Sequence, residues 1–498
     1  MEIPRNYNAA VDLIGRNLAP GRAAKLAYID DAGSCTYAEL AERVDRAANA
    51  LRSLGIGREQ RIAIAMLDSA DWVAVFLGAI KAGIVPVALN TLLTAADYEY
   101  QLKDSDAQAL FVSDPLLKNF KTNLKHVIPQ SQLKDLLQKQ KPTAGAAPTT
   151  RDDMAFWLYS SGSTGAPKGT VHLHSHLILT AELYAKPVLG IRASDVVFSA
   201  AKLFFAYGLG NAMTFPLAVG ATTVLMAERP TPDAVFNRLI EKKPTIFYGV
   251  PTLYAALLAS QNFPQRQNLS LRVCTSAGEA LPAEIGKRWT ERTGTELLDG
   301  IGSTEMLHIF LSNYPGDVRP GTTGKPVPGY TLRLVDDSGN IVTKPGELGE
   351  LQISGPTSAI MYWNQREKTK NTFQGPWTRS GDKYSMDEQG YFAYGGRSDD
   401  MLKVGGIYVS PVEVEAAIIT HEAVLEAAVV GAEDESKLVK PKAYVVLKAG
   451  YVANEKLKAV LQQHVKDRLA PYKYPRWIEF LDELPKTATG KIQRFKLR

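Results

Sequence analysis

The stretch YSSGSTGAPKG, from Tyr159 to Gly169, contains three glycines, four Ser or Thr side chains and one lysine within eleven residues. Glycines allow consecutive backbone N–H groups to turn toward one point, the hydroxyls add donors, and Lys168 adds a positive charge. The pattern predicts a cradle for a polyphosphate, although it lacks the G-x-x-x-x-G-K-[ST] spacing of the Walker loop. The alternative is an ordinary flexible connector. The apolar run AFWLY before the stretch and the alternating VHLH after it indicate a loop between two strands, which favours phosphate binding.

Length and composition indicate a multidomain globular protein. At 498 residues the chain is too long for one core, and its 45% hydrophobic and 22% charged residues are typical of soluble proteins. The net charge of +5 is the difference between 57 basic and 52 acidic groups that are scattered along the chain. We therefore expect no nucleic acid partner.

Cysteine usage and the amino terminus point to the cytoplasm. Cys35 and Cys274 are too far apart for a metal or redox motif, and such sparse usage fits a reducing compartment. The first residues, MEIPRNYNAA, have no apolar signal core, and no stretch is long and apolar enough to span a membrane. We expect a cytoplasmic protein with no membrane partner.

The first part of the chain alternates between predicted strands and helices. RIAIAML, IVPVALN and ALFVSD indicate buried strands, and DWVAVFLGAIKAG indicates an apolar helix. A polar connector is expected between Pro129 and Asp153, and further strands and helices follow it. Such alternation predicts an α/β fold with a parallel sheet covered by helices and with ligands at the carboxyl ends of the strands.

The pattern changes after Gly329. YTLRLVDDSGNIVTKPGELGELQISG alternates around turn residues and predicts antiparallel hairpins. Beyond Arg397 the chain is expected to form a compact mixed unit, with a hinge in the short SDD segment at Asp399. We therefore predict an N-terminal domain over residues 1–398 and a C-terminal domain over residues 399–498.

Several further polar motifs follow predicted strands. In DGIGSTE, Thr304 can donate to a phosphate oxygen, and Glu305 is the kind of single carboxylate that holds Mg²⁺ together with phosphates. RSGD ends in Asp382, which could accept from ribose hydroxyls. The remaining motifs are TSAGEALP, GRSDDMLKVGG with Arg397, and PKTATGKIQR with Lys491.

Together these motifs resemble those of the acyl-adenylate-forming superfamily, which includes acyl-CoA synthetases, non-ribosomal peptide adenylation domains and beetle luciferases. They occur in the family's order and cover nearly the whole chain. KLFFAYGLGNAMTFPLAVGA and DGIGSTEMLHIFLSN look like segments of benzoate-CoA ligases. The resemblance implies a large N-terminal domain of parallel-rich sheets and helices with a β-barrel-like subdomain. It also implies a small mobile α+β C-terminal domain that swings about the hinge at Asp399.

The chemistry of carboxylate activation supports this interpretation independently. A carboxylate is a poor electrophile, whereas an acyl-AMP has a good leaving group. Its formation requires the carboxylate to approach an anionic phosphate, and a unit charge pair at ~4 Å and an effective dielectric of ~20 is worth about 4 kcal/mol. By resemblance and by charge, Lys491 is the candidate cation; the alternative is a solvated lysine in a basic tail.

The resemblance implies ATP, Mg²⁺ and coenzyme A as cofactors and assigns roles to matching residues. It implies α-phosphate on Thr304 and Mg²⁺ on Glu305, which with Lys491 form the catalytic set. Withdrawal of Lys491 would bring Gly405 and Gly406 against the pantetheine path, where a narrow tunnel leaves no room for Cβ. The nucleotide-binding residues are Ser160, Ser161, Gly162, Ser163, Thr164, Gly165 and Lys168 at the polyphosphate; Gly278, Glu279 and Ala280 at the adenine; Asp299, Gly300 and Ile301; and Asp382 and Arg397 at the ribose.

The acyl pocket implied by the resemblance is lined by Ala206, Tyr207, Gly302, His308 and Ile309. The FFAYG segment lacks the carboxylate that would pair with an ammonium group, which disfavours an amino acid substrate. Aromatic walls with a small floor suit a flat ring. His308 could close the pocket or reach a ring substituent, or it could be a buried histidine bonded to backbone.

A second group of histidines follows the phosphate loop. His172, His174 and His176 are expected to alternate along one strand face. Zinc sites usually need more ligands than this spacing supplies, so a structural role is favoured over metal binding.

The sequence therefore predicts an aryl carboxylate–CoA ligase that makes benzoyl-CoA, AMP and pyrophosphate through benzoyl-AMP, acting in aromatic compound catabolism as a monomer or homodimer. Ligation of 4-hydroxybenzoate or another substituted aryl acid is the main competing hypothesis, because one polar group in the pocket would change the preference. Two further hypotheses are an adenylation module that loads a carrier protein and a non-catalytic nucleotide-binding protein.

Overall fold

The computed structural model describes residues 2–160, 167–398, 400–404, 407–435, 438–470, 472–486 and 492–498. The strands are β1 (Leu26–Asp30), β2 (Gly33–Thr36), β3 (Arg61–Ala65), β4 (Val85–Ala88), β5 (Ala107–Val112), β6 (His126–Pro129), β7 (Met154–Ser160), β8 (Lys168–Leu173), β9 (Val196–Ser199), β10 (Thr222–Val224), β11 (Ile246–Gly249), β12 (Val273–Ser276), β13 (Leu297–Gly302), β14 (Ile309–Ser312), β15 (Lys325–Pro326), β16 (Thr331–Val335), β17 (Gly349–Ser354), β18 (Met361–Tyr362), β19 (Phe373–Gln374), β20 (Trp377–Met386), β21 (Phe392–Arg397), β22 (Leu402–Val404), β23 (Ile407–Val409), β24 (Val424–Glu433), β25 (Val439–Leu447) and β26 (Trp477–Phe480).

The α-helices are α1 (Ala9–Gly15), α2 (Tyr37–Ser53), α3 (Ala70–Lys81), α4 (Ala95–Ser105), α5 (Gln130–Gln138), α6 (His174–Thr180), α7 (Ala206–Leu209), α8 (Phe215–Val219), α9 (Pro232–Glu241), α10 (Pro251–Ala259), α11 (Ala283–Thr293), α12 (Arg366–Thr372), α13 (Pro411–Ile419) and α14 (Glu455–Lys466). Two π-helical turns, Ala181–Ala185 and Gly210–Thr214, extend α6 and α7. Within the described residues, no helix combines the length and apolar character needed to cross a bilayer.

Short polar side chains fix where several helices begin. Thr36 accepts the backbone N–H of Glu39 at 3.2 Å, and the Glu39 carboxylate accepts the backbone N–H of Thr36 at 2.7 Å, so α2 begins with a reciprocal capping box. Ser69 accepts the backbone N–H of Trp72 at the start of α3. These caps satisfy donors that the first helical turn leaves unpaired.

Two parallel-rich sheets form the core and confirm the predicted α/β class. One has seven strands in the order β18-β8-β7-β4-β3-β5-β6, with parallel pairing from β7 to β6. The other has nine strands in the order β15-β14-β13-β12-β11-β9-β10-β1-β2, with parallel pairing from β13 to β1. All four residues of β4 are buried, as expected for a parallel strand covered on both faces.

The strands after residue 330 pair differently. β16, β17, β20 and β21 pair antiparallel in a five-stranded sheet, which confirms the predicted hairpins. Beyond residue 400, helices α13 and α14 pack on the sheet of β24, β25 and β26. This part has its own buried cluster, which includes Val414, Ile418, Val429, Val445 and Leu461.

The segment from Pro129 to Asp153 is only partly the connector that the sequence predicts. Its first residues form helix α5, in which Leu133 and Leu137 are buried one turn apart. The guanidinium of Arg46 in α2 donates to the carbonyl of Leu137 near the end of α5. The KDLLQKQK stretch near Lys134 itself indicates a solvated helix face, and two leucines at i and i+4 dock this helix, so the connector is shorter than predicted.

We predict that Arg272→Ala lowers the urea midpoint of the nine-stranded sheet region. Asp195 is fully buried beside β9, and Arg272 donates to both of its carboxylate oxygens at 2.6 and 2.9 Å. Removing one partner of a buried ion pair costs about 3 kcal/mol because the other charge stays desolvated. Arg366→Ala removes an exposed pair with Glu367 and should change the midpoint little. Equal midpoints for the two variants would contradict this prediction.

Candidate active site

A carboxylate from one sheet meets a lysine and a tyrosine from the other. Glu305 follows β13 of the nine-stranded sheet, whereas Lys168 begins β8 and Tyr362 ends β18 of the seven-stranded sheet. The Tyr362 hydroxyl donates to Glu305 Oε1 at 2.7 Å, and the Ser160 hydroxyl donates to the same oxygen at 3.3 Å. Lys168 Nζ lies 3.9 Å from Glu305 Oε1. We call these four residues the sheet junction.

Burial and charge alter two pKa values within the sheet junction. The side chains of Lys168 and Glu305 are only 19% and 16% exposed. Burial lowers the pKa of Lys168, and the Glu305 carboxylate opposes that shift. Burial, assisted by the charge of Glu305, raises the pKa of Tyr362, so the phenol stays protonated and donates. Such perturbed groups around a single carboxylate are typical of functional sites.

Tyr362 is a contact that sequence reasoning missed. Its ring centroid lies 4.3 Å from Lys168 Nζ, and its hydroxyl lies 3.2 Å from the same nitrogen. It belongs to a two-residue strand that pairs with β8 only after a connection of nearly 190 residues. A tyrosine in the sequence AIMYWN has no local signature that distinguishes it from a core tyrosine.

The described ends of the predicted phosphate loop are firmly anchored. Tyr100 donates to the carbonyl of Pro167 at 3.2 Å. Gly169 lies beside Trp157 and Trp363, whose ring centroids are 4.5 Å apart, and a Cβ at Gly169 would come within 3.4 Å of Trp157. The sequence thus places a small residue where two indoles contact each other at a tilt.

Several predicted site residues lie outside the described residues. They are Ser161, Gly162, Ser163, Thr164 and Gly165 of the phosphate loop, Asp399 at the predicted hinge, Gly405 and Gly406 of the predicted pantetheine path, and Lys491.

Asp382 and Arg397 are brought together by the antiparallel pair β20–β21, in which they are direct partners. Arg397 donates to Asp382 Oδ1 at 3.1 Å and to the carbonyl of Ser380 at 3.2 Å. Gly381 adopts a φ of +70°, and a Cβ there would lie 2.9 Å from the Arg397 guanidinium. The glycine of the SGD motif therefore lets the guanidinium approach the backbone.

The segments around Gly278 and Gly300 leave neighbouring strands. β12 pairs with β13 so that Ser276 lies beside Asp299; Gly278, Glu279 and Ala280 follow the end of β12, whereas Gly300 and Ile301 continue β13. Gly278 is exposed with a φ of +97°, a conformation that favours glycine. Burial raises the pKa of Asp299 well above its ordinary value.

The predicted acyl-pocket residues converge on His308. Its Nε2 lies 3.2 Å from both the carbonyl of Tyr207 and Asn211 Oδ1. Both partners accept, so Nε2 carries the hydrogen and Nδ1 is an acceptor with no partner among the described residues. Burial lowers the pKa of His308 to about 3, so the ring is neutral. His308 is thus a buried histidine hydrogen-bonded to backbone, which is one of the two sequence-based interpretations. Its Nδ1 has no hydrogen-bond partner among the described residues.

Two glycines leave room for His308, one beside its backbone and one beside its ring. A Cβ on Gly302 would lie 2.6 Å from the His308 carbonyl, and one on Gly210 would lie 2.3 Å from the imidazole. Ala206 begins α7 beside Tyr207, and Ile309 begins β14 after His308. Tyr207 is partly buried, and its hydroxyl is hydrogen-bonded to Thr275 Oγ1.

The three histidines after the phosphate loop do not share one strand face, as the sequence had suggested. His172 lies in β8, but His174 and His176 begin helix α6. His172 contacts Thr304 and His176, whereas His174 accepts the backbone N–H of Ala9 at 3.1 Å. The alternation was wrong because the chain changes from strand to helix at residue 174. Among the described residues, no group of three or more His, Cys, Asp or Glu side chains is placed to bind one metal ion.

Comparison with known proteins gives the chain's relatives. A model for the AMP-binding enzyme family matches residues 16–363, and a model for the C-terminal domain of AMP-binding enzymes matches residues 413–491. The chain is 64% identical to a benzoate–CoA ligase of Thauera aromatica, over 100% of this chain and 97% of that protein.

Two solved structures are also similar over their full lengths. A benzoate CoA ligase from Burkholderia xenovorans is 57% identical, with a TM-score of 0.93 over 99% of this chain and 100% of that one. The anthranilate CoA ligase AuaEII, solved in complex with anthranoyl-AMP, is 46% identical, with a TM-score of 0.96 over 100% of this chain and 98% of that one. The chain belongs to the AMP-binding enzyme family.

Proposed function

We propose that this protein is an acid–thiol ligase that joins benzoate to coenzyme A at the expense of ATP, through benzoyl-AMP. ATP and coenzyme A are substrates of this class of ligase. The observation that carries the proposal is the full-length similarity to the Thauera benzoate–CoA ligase. The contacts of the sheet junction and the neutral, buried surroundings of Tyr207 and His308 support it.

The reaction has two steps. A benzoate oxygen attacks the α-phosphorus of ATP, and the bond to the β-phosphate breaks, giving benzoyl-AMP and pyrophosphate. The coenzyme A thiolate then attacks the benzoyl carbonyl, and the bond to AMP breaks, giving benzoyl-CoA. The first step brings two anions together, so its rate depends on cations and donors placed in advance.

Lys168 is proposed to bind the departing pyrophosphate. Its ammonium already lies beside a carboxylate in a largely buried setting, where a charge interaction is stronger than in water. Thr304 is proposed to donate to the α-phosphate, and Ser160 to Gly165 to hold the polyphosphate. Gly278 to Ala280 would contact the adenine, with Asp299 to Ile301 beside them, and Asp382 and Arg397 would hold the ribose.

The residues present fit a Mg²⁺ ion at Glu305. The hydrogen bonds from Ser160 and Tyr362 both fall on Oε1, and no described residue donates to Oε2. Mg²⁺ in proteins is commonly held by one or two carboxylates together with substrate phosphates. When bound, the ion would neutralise phosphate charge and so favour departure of pyrophosphate.

The two-domain division is proposed to serve the two steps. The division at residue 399, with Asp399 as the hinge, would let residues 399–498 present Lys491 for adenylation. They would then present Gly405 and Gly406 to the pantetheine for thioester formation. The match of the C-terminal family model, which extends to Lys491, supports this assignment.

A specific observation favours substituted benzoates as further substrates. His308 Nδ1 is a buried acceptor without a described partner. If the acyl ring lies against His308, a ring N–H or O–H would find this acceptor. An added donor should therefore be tolerated, whereas a charged ammonium would find no carboxylate in the FFAYG segment.

We predict that Lys491→Ala separates the two half-reactions. Loss of a cation worth about 4 kcal/mol should reduce benzoate-dependent ATP–pyrophosphate exchange by ~10³-fold, while conversion of supplied benzoyl-AMP to benzoyl-CoA changes little. Lys486→Ala is the matched control, because Lys486 is bonded to Glu426 within the same part of the chain. Equal losses in both half-reactions would refute the role given to Lys491.

Measurement of kcat/KM for a panel of carboxylic acids should show which acyl substrate the protein prefers. We expect kcat/KM with free coenzyme A to be highest for benzoate, within about 10²-fold for 2-aminobenzoate and 4-hydroxybenzoate, and negligible for phenylalanine. AMP release would be followed in each reaction. Preference for an amino acid, or AMP release that requires a carrier protein in place of free coenzyme A, would overturn the proposal.

A further inference from the structure

The buried imidazoles of His172 and His176 lie next to the sheet junction, and the proposed reaction steps do not use them. His172 Nε2 is 2.7 Å from the carbonyl oxygen of Thr304, and His172 Nδ1 is 3.0 Å from His176 Nδ1. Both rings are almost completely buried. They therefore connect the core of the seven-stranded sheet to the residue immediately before Glu305.

Hydrogen-bond chemistry fixes the direction of the bond between His172 and Thr304. The Thr304 carbonyl can only accept, so His172 Nε2 carries the hydrogen. A neutral His172 then has a bare Nδ1, which lies 3.0 Å from His176 Nδ1, and the backbone N–H of Leu173 donates to that same His176 nitrogen at 3.4 Å. Burial lowers the pKa of His172 to about 4, which agrees with a singly protonated ring. His172 is therefore the donor to the Thr304 carbonyl.

The Thr304 carbonyl closes a strained turn. It also accepts the backbone N–H of Leu307 at 3.2 Å. Leu307 has a φ of +65°, in the left-handed region that is unfavourable for a side chain of this kind. Two further contacts hold the turn, because the carbonyl of Glu305 accepts the N–H of Ala359 at 2.7 Å and the carbonyl of Met306 accepts the hydroxyl of Thr357 at 2.8 Å.

We propose that His172 is a positioning residue for adenylate formation: it holds the Thr304–Glu305 peptide so that the Thr304 hydroxyl and the Glu305 carboxylate meet the phosphates without rearrangement. This inference rests on the proposed function. It assigns His172 an effect on the first half-reaction only. A purely structural role, such as its stacking on Phe156 at 5.3 Å, would affect both half-reactions alike.

The test compares two substitutions at this position. His172→Phe keeps a flat ring against Phe156 but has no donor, whereas His172→Gln can place an amide N–H near the position of Nε2. We expect His172→Phe to lower kcat for benzoate-dependent pyrophosphate exchange by ~10- to 100-fold, with conversion of supplied benzoyl-AMP within about twofold of wild type. His172→Gln should recover most of the loss.

His174→Gln is the matched control, since His174 is equally buried but bonds to Ala9 in α1. It should leave the ratio of the two half-reactions unchanged. A wild type without benzoate-dependent exchange would overturn the proposed function itself. If the wild type is active and a folded His172→Phe variant has the same rate of pyrophosphate exchange, this inference alone is overturned. Equal losses in both half-reactions would overturn it as well.

A measurement on the wild type keeps the inference testable if His172→Phe does not fold. In ¹⁵N-histidine-labelled protein, His172 should show a protonated Nε2 and an unprotonated Nδ1, and both resonances should shift when ATP is added. Protonation on Nδ1, or resonances that ATP leaves unchanged, would contradict the positioning role.

Discussion

The candidate active site depends on one carboxylate, that of Glu305. This residue follows a strand of one sheet, but its carboxylate accepts hydrogen bonds from side chains of the other sheet. Glu305 follows β13, but its bonds come from Ser160 and Tyr362, on β7 and β18. The packing of the two sheets against each other therefore fixes the distance between Glu305 and Lys168. The buried helix α3 contacts strands of both sheets, and close-packed interiors of this kind resist small displacements.

This arrangement prepares the site for a highly charged substrate. Lys168 and Glu305 are largely removed from water, so under the proposed function an arriving phosphate would replace existing contacts and would not have to organise free side chains. The Tyr362 phenol stays protonated because burial and the neighbouring carboxylate both raise its pKa. Burial also keeps His308 neutral, which would suit the uncharged ring of the proposed substrate.

The sequence predicted the parts of this site that are local in the chain. Buried strands such as β3 and β4 were evident from continuous apolar runs, and the glycine-rich loop was correctly placed between β7 and β8. Tyr362 could not be foreseen, because it comes close to Lys168 only through the pairing of distant strands, in which it lies opposite Thr170. The prediction that His172, His174 and His176 alternate on one strand face was wrong from residue 174 onward. Helix α6 begins there, although the alternating sequence pattern continues. The connector after β6 is shorter than predicted, because two leucines dock its first residues as helix α5.

The central claim is that the sheet junction is organised for adenylate formation, and the most direct test is Tyr362→Phe. Loss of a hydrogen bond to a charged group costs about 1.5–3 kcal/mol. Benzoate-dependent ATP–pyrophosphate exchange should therefore fall by ~10- to 100-fold, with thioester formation from benzoyl-AMP spared. Tyr391→Phe is the matched control, because Tyr391 also donates to a carboxylate, that of Asp317, on the antiparallel sheet. Exchange in Tyr362→Phe equal to that of the control would contradict the account.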